Sequence, residues 1–241
     1  MRDSDRLKNE LTAQYPCRVE LHLHTKPASD CAQVPTEEAL TLFAQSGYSA
    51  VCFTNHLMTG YVKKRGGPQG YMDFIMAEYE NACKIGEALG MRVYLCCEIR
   101  FENEAFNDFL LYGLDSELLW KAINSVDGTV AEYVHNVKDK RTFLTQAHPF
   151  RNGMYRENPE LLDGIEAYNL HPNHNNRTLY AVKWADEEKK NITIGTDYHD
   201  PGNHNLCATR FRDLPEDSFD VARRLFEKNY IMEIGSTLIL P

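Results

Sequence analysis

At 241 residues the chain has the length of one large domain, and its composition, 43% hydrophobic and 25% charged, is that of an ordinary globular protein without any apolar run long enough to cross a bilayer. A formal net charge of −9 argues against a broad surface for duplex nucleic acid, which would be strongly basic. Seven cysteines, at 17, 31, 52, 83, 96, 97 and 207, have no Cys-x-x-Cys spacing; they read as reduced thiols rather than a disulfide frame or a zinc finger.

The N-terminal stretch Met1 to Arg6 is polar and leads into no apolar segment of the kind that directs secretion, so the expected location is cytoplasmic. From Arg18 onward, apolar β-rich runs alternate with helical ones. The first strand is expected over Arg18 to His24. A helix follows from Thr36 to Ser46, with Pro35 before it, acidic residues in its first turn and Gly47 at its end. Further strands are expected at Ala50 to Thr54, Arg92 to Glu98, Phe109 to Tyr112, Thr142 to Gln146, Gly164 to Tyr168 and Ile192 to Gly195, with a last one near Tyr230 to Glu233. The intervening helices are expected at Tyr71 to Leu89, Thr129 to Lys138, Arg177 to Lys190 and Asp217 to Lys228. The basic, glycine-rich stretch from Gly60 to Gly70 reads as a loop, either a surface excursion or a substrate lid. About seven or eight βα units of this kind predict an α/β barrel of largely parallel strands in one domain, residues 1–241, with 1–16 as an N-terminal extension and a core of about 17–238.

In such a barrel the functional side chains collect at the strand C-termini. Glu20-Leu21-His22-Leu23-His24 alternates so that His22 and His24 leave one face of a strand, a two-pronged clamp for a metal ion, and Asp30 follows in the next loop. A lone His-x-His pair is also what two solvent-facing residues would give, so further ligands must be found. His56 closes the second strand, Glu98 the third, His148 the fifth, and Asp197 with His199 the seventh. Each alone reads equally as a satisfied core residue. Their common position at strand ends is what favours a metal centre.

In this order the motifs resemble those of the Polymerase and Histidinol Phosphatase (PHP) family of metal-dependent phosphoesterases. The resemblance runs from about Glu20 to Asp200: His22-Leu23-His24 with Ser29-Asp30, Thr54-Asn55-His56, Glu98, Ala147-His148-Pro149, and Gly195-Thr196-Asp197-Tyr198-His199. It implies a distorted (β/α)7 TIM-like barrel with two or three divalent transition metal ions (Zn, Mn or Fe) at the strand C-termini. By the same resemblance, His22, His24, Glu98 and Asp197 hold one ion, Glu98 bridges to a second that His148 also binds, and Asp30, His56 and His199 hold a third. Asn55 stands where the family carries aspartate, which weakens the orientation of the neighbouring imidazole. Asp108 stands where the family often carries a histidine ligand and would favour a harder ion. His135, in a predicted helix, reads as a surface residue.

Clustered cations activate water and stabilise charge on phosphoryl oxygens, so the expected activity is hydrolysis of a small phosphorylated metabolite by a metal-bound water held by Glu98, His148 and Asp197. Arg151 and Arg100 have the planar fork suited to phosphate and, with Lys26 and the loop residue His204, are the expected substrate contacts; His171 and His174 lie in loops facing the same rim. A phosphodiesterase or exonuclease acting on short nucleic acid, with Lys63-Lys64-Arg65 tracking the backbone, is the alternative, as are C–N bond hydrolysis and a metal-binding module that has lost catalysis.

Overall fold

A computed structural model describes residues 3–103 and 106–241. A first helix α1 (Asp3–Gln14) leads into β1 (Cys17–Leu23). Then come α2 (Thr36–Gln45), β2 (Ala50–Phe53), β3 (His56–Met58), α3 (Thr59–Lys64), α4 (Pro68–Ala88), β4 (Arg92–Leu95), β5 (Cys97–Arg100) and β6 (Phe109–Tyr112). The second half comprises α5 (Ser116–Ile123), α6 (Val130–Asn136), β7 (Phe143–Gln146), β8 (Gly164–Asn169), α7 (Thr178–Glu187), β9 (Asn191–Gly195), β10 (Cys207–Phe211), α8 (Ser218–Phe226), β11 (Ile231–Ile234) and β12 (Thr237–Ile239). Among the described residues no helix is long and apolar enough to cross a membrane.

The helix ends follow local chemistry. Thr129 and Glu132 form a capping box that starts α6, and Asp217 accepts the Asp220 amide to start α8. Gly90, at φ 70°, lets the chain leave α4 in a left-handed turn that a β-carbon would disfavour.

The strands form two six-stranded sheets, β12-β11-β10-β1-β2-β4 and β3-β5-β6-β7-β8-β9. The chain changes sheet four times, at β2–β3, β3–β4, β4–β5 and β9–β10. Two of these changes are short breaks, of two residues between β2 and β3 and of one between β4 and β5. Counting each broken strand once, seven staves run from β1 to β9. They form a distorted barrel, not a continuous ladder. At the seam between β1 and β9 a single parallel bridge joins Leu23 to Tyr198, with His24 N donating to Tyr198 O (3.0 Å) and Tyr198 N donating to His22 O (3.2 Å).

Two residues close this seam. Glu20 Oε1 accepts from His22 N (2.8 Å) and Thr196 N (2.9 Å), substituting for a strand carbonyl where no ladder forms. Gly195 permits the close approach, since a β-carbon there would lie 2.4 Å from His22 Cβ.

Not every strand is parallel. β6 runs antiparallel to both β5 and β7, because the short connection after β5 contains no crossover helix. Its N-terminus therefore lies at the same end of the barrel as its neighbours' C-termini, which brings Asp108 to the functional end. β10 pairs antiparallel with the first residues of β1 and, with β11 and β12, extends the sheet beyond the seam. Buried apolar side chains pack the helices onto the strands, Leu40, Phe43, Phe53, Ile99 and Phe109 among them, while Leu21, Tyr94, Leu110, Tyr112 and Phe211 form a second cluster.

The stretch from Gly60 to Gly70 is mostly helical, contrary to the loop expected: α3 covers its first part and α4 begins at Pro68. Two of its three cations are engaged, Lys64 with Asp30 and Arg65 over the Phe74 ring at 3.6 Å.

Candidate metal centre

The end of β1 presents two imidazoles to a fully buried site. The strand register slips between Glu20 and Leu23, yet His22 Nε2 and His24 Nε2 still converge to 3.0 Å. Facing them are Glu98, from β5, and Asp197, just beyond β9. His22 Nε2 lies 3.3 Å from Glu98 Oε1 and 3.3 Å from Asp197 Oδ1. His24 Nε2 lies 3.2 Å from Glu98 Oε2 and 3.4 Å from Asp197 Oδ1.

The partners on the far side of each ring set where its proton sits. His22 Nδ1 donates to Glu166 Oε1 at 2.7 Å. His24 Nδ1 lies 3.3 Å from Ser29 Oγ, whose own hydrogen goes to Asn55 Oδ1 (2.7 Å), so the serine oxygen accepts from His24. With the rings neutral, as metal ligands must be, both Nε2 atoms carry lone pairs aimed at each other and at two carboxylates. Acceptors so arranged in a buried site require a cation between them, a metal ion or, without one, a proton on His22. A tetrahedral ion with nitrogen and oxygen ligands at about 2.0–2.1 Å holds its donors about 3.3 Å apart. The four His–carboxylate separations match that edge, and the donor set fits a divalent metal.

Three further groups adjoin this one, one of them of His171, Asp197 and His199. His148 Nε2 is 3.2 Å from Glu98 Oε1 and 3.9 Å from Asp108 Oδ2, and a donor from each of the three lies within 4.8 Å of the others. Asp108 is not free: Arg100 grips both its oxygens, at 2.7 Å each, and its own fork is thereby committed. On the other side, His24, Cys31, His56 and His199 form a group of four. His56 Nδ1 lies 3.0 Å from Glu98 Oε2 without the alignment a hydrogen bond needs, and has no other partner. Glu98 thus touches four imidazoles, two with each oxygen. His148 and Asp197 both hold left-handed backbone, at φ 30° and 50°, a local strain characteristic of functional positions.

The structure does not bring Asp30 into any of these groups. Its carboxylate points outward to Lys64 Nζ (2.6 Å) and its amide donates to Tyr61 Oη (2.9 Å), while the next residue, Cys31, turns inward to within 3.2 Å of His199 Nε2. Lys26 is exposed, with Nζ 3.4 Å from Gln33 Oε1. His204 packs edge-on against Phe43 and Tyr198. His135 is an exposed residue of α6, as expected.

Glu166 and Glu20 were not anticipated as parts of the site. Glu166 binds three groups at once: besides His22, its Oε2 accepts from His148 N (3.0 Å) and Asn169 Nδ2 (2.9 Å), so one carboxylate orients two of the clustered histidines. The available signal was a lone acid inside the apolar run Gly164 to Tyr168. Glu20 alternates with His22 and His24 and could have been read from the same pattern. Asn55 acts one step from the imidazoles, with Oδ1 accepting from Thr25 N and Ser29 Oγ.

Titration follows from this packing. Burial alone would depress the His22 pKa, but the charges of Glu166, Asp197 and Glu98 outweigh it and hold it well above 6.5. Burial would raise Glu98, but the charges of His22 and His56 and the hydrogen bond from His148 hold it well below 4.5. His24 is pushed down by burial and by the charges of His199 and His56. Burial would raise the Cys31 thiol, but hydrogen bonds with His199 and His56 bring it down to about 5. Glu20 is pushed up to about 7 by burial.

At the rim, Arg151 is held by Asn176 Oδ1 (3.1 Å), Asn169 Oδ1 (3.1 Å) and Asp197 Oδ2 (2.5 Å). This puts a guanidinium on the outer oxygen of a carboxylate whose inner oxygen faces His22 and His24. His171 stands 5.2 Å from His199 between ring centres, and burial pushes its pKa down to about 4. Its Nδ1 accepts from Asn173 N (3.2 Å), so the neutral ring presents Nε2–H as a donor.

No family model and no curated protein sequence matches the chain, whereas solved structures do. The fold is similar to that of a two-domain protein of Bacteroides vulgatus described as containing a predicted PHP-like metal-dependent phosphoesterase: TM-score 0.62 at 14% identity, over 92% of this chain and 66% of that one. The chain thus spans about two thirds of that protein. A Bifidobacterium adolescentis protein assigned as a metal-dependent phosphoesterase matches with TM-score 0.50 at 15% identity, over 85% and 94%. A lesion-specific endonuclease of Pyrococcus furiosus matches with TM-score 0.52 at 12% identity, over 88% and 56%. The chain has the PHP-like fold, with a buried cluster of His, Asp and Glu side chains at the strand ends.

Proposed function

We propose that the protein is a metal-dependent phosphoesterase that hydrolyses a small phosphomonoester in a centre of two or three divalent transition ions. The observation that carries this reading is the convergence of His22 Nε2 and His24 Nε2 on Glu98 and Asp197, with the far nitrogens held by Glu166 and Ser29. The PHP-like fold supports it. When bound, divalent ions at such a site activate a water and neutralise phosphoryl charge. His22, His24, Glu98 and Asp197 would hold one ion; His148, sharing Glu98 and with Asp108 nearby, would hold a second; and His56 and His199 would take part in a third position.

Arg151 is suited to the phosphate, since its guanidinium borders the cluster and Asn169 and Asn176 fix its plane. His171 Nε2–H is suited to donate to a phosphoryl or leaving-group oxygen as a neutral group. Arg100, engaged with Asp108, is better suited to holding that carboxylate than to meeting substrate.

A phosphodiesterase acting on short nucleic acid is the second reading, favoured by the fold shared with the lesion-specific endonuclease. The engagement of Lys64 and Arg65 and the net charge of −9 count against it. Rates on a phosphomonoester panel, a diester and a labelled oligonucleotide separate the two. Faster monoester turnover is expected; faster diester turnover overturns the leading reading, and bound metal without turnover on any of them favours a non-catalytic metal module.

A further inference from the structure

We propose that Cys31, and not Asp30, supplies the anionic ligand at the outer metal position, making that position a thiolate–imidazole site beside a carboxylate–imidazole inner one. The inference rests on reading the cluster as a metal centre and concerns which residue completes it. The two candidates are adjacent in sequence and face opposite ways. Ser29 N donates to Thr25 O and Gln33 N to His199 O, so the loop curls back and is tied beside the cluster. In that curl Asp30 leaves toward Lys64, and Cys31 Sγ comes to His199 Nε2.

The geometry on the imidazole side is independent of the cysteine. His199 Nδ1 lies 2.8 Å from the carbonyl oxygen of Asp197, which can only accept, so the proton is on Nδ1 and the Nε2 lone pair faces the sulfur. His56 Nδ1, in the same group, is a buried nitrogen without a hydrogen-bond partner. A donor atom from each of His24, Cys31, His56 and His199 lies within 4.8 Å of every other. Zinc holds sulfur at about 2.3 Å and imidazole nitrogen at about 2.0–2.1 Å, which sets S and N about 3.5 Å apart in a tetrahedron. The 3.2 Å between Cys31 and His199 is within a few tenths of that. A soft thiolate in place of a hard carboxylate selects zinc or cobalt over manganese or magnesium at this one position.

Cobalt(II) substitution reads the ligand directly. Purified full-length protein, stripped with chelator and reloaded with Co²⁺, is expected to show near-ultraviolet sulfur-to-cobalt charge-transfer absorption in addition to ligand-field bands. Asp30→Asn should leave that absorption unchanged. Cys31→Ser and Cys31→Asp should abolish it while the ligand-field bands of the inner position remain. Cys31→Asp guards against a folding failure of the serine variant, since it replaces the anion.

Thiol labelling gives a second readout. Of the seven cysteines Cys31 alone is exposed, so it should label first in metal-free protein and lose that labelling once zinc is added. Cobalt bound without charge-transfer absorption, or absorption that survives Cys31→Ser, overturns the assignment of Cys31 and leaves the metal centre standing. Failure to bind cobalt at all overturns both.

Discussion

Replacing Glu166 with glutamine tests whether the buried cluster is organised around metal binding, because it alters a residue outside the expected ligands. Glu166 Oε1 accepts from His22 Nδ1 at 2.7 Å, and Oε2 accepts from His148 N and Asn169 Nδ2 at 3.0 and 2.9 Å. A carboxylate can meet all three donors; an amide cannot. In one orientation the new NH₂ faces His22 Nδ1–H, and in the other it faces the His148 and Asn169 donors. Hydrogen bonds to charged groups are worth about 1.5–3 kcal/mol, and a supporting partner of a metal-bound histidine is worth about 10–100-fold in metal affinity, about 1.4–2.8 kcal/mol. Glu166→Gln is therefore expected to weaken zinc binding by about 10–100-fold, measured by competition with a chromophoric chelator, with circular dichroism confirming the fold. A folded Glu166→Gln protein whose zinc affinity stays within about twofold of wild type would falsify the proposed orientation of His22.

Arg151→Ala is expected to raise KM for a phosphomonoester by about 10–100-fold, the loss of one charged hydrogen-bonding group, while metal content measured by elemental analysis is kept; an unchanged KM removes Arg151 from substrate binding. Stability should respond to pH with opposite signs at the two ends. In the metal-free protein His22 and His56 have raised pKa values, so their contribution is present below pH 6.5 and is lost as pH rises through the folded values. Glu98 and Asp197 have lowered values, so theirs is present above the ordinary carboxylate range and is lost as pH falls through the folded values. The Tm gain on adding zinc should therefore grow with pH from about 6.5 upward; calorimetry showing a gain independent of pH contradicts this.

Most of the cluster was legible in the sequence because its side chains leave strand ends, where a lone His or acid interrupts an apolar run. His22, His24, His56, Glu98, His148, Asp197 and His199 all meet in space, although the strand that carries the first two slips register and two other strands break between the sheets. Less legible was what depends on the course of a loop. Asp30 and Cys31 are neighbours, and only the curl of residues 25–33 decides which one turns inward. Asp108 was a candidate, but its delivery depends on β6 running antiparallel, which apolar periodicity does not encode. Glu166 lay hidden because a buried acid within a strand has no motif of its own; its partners are His22, 144 residues away, and His148. β10 escaped because its pairing completes a sheet extension, not a βα unit.

The most direct test of the central claim joins metal content to turnover in one residue. Glu98 contacts His22, His24, His56 and His148, so Glu98→Gln removes the one carboxylate charge beside all four imidazoles while keeping the shape. Elemental analysis and phosphate release from a phosphomonoester panel, run on wild type and Glu98→Gln, should show bound divalent transition metal and turnover in the first and the loss of both in the second. A Glu98→Gln protein that keeps its metal and its full rate would contradict the account.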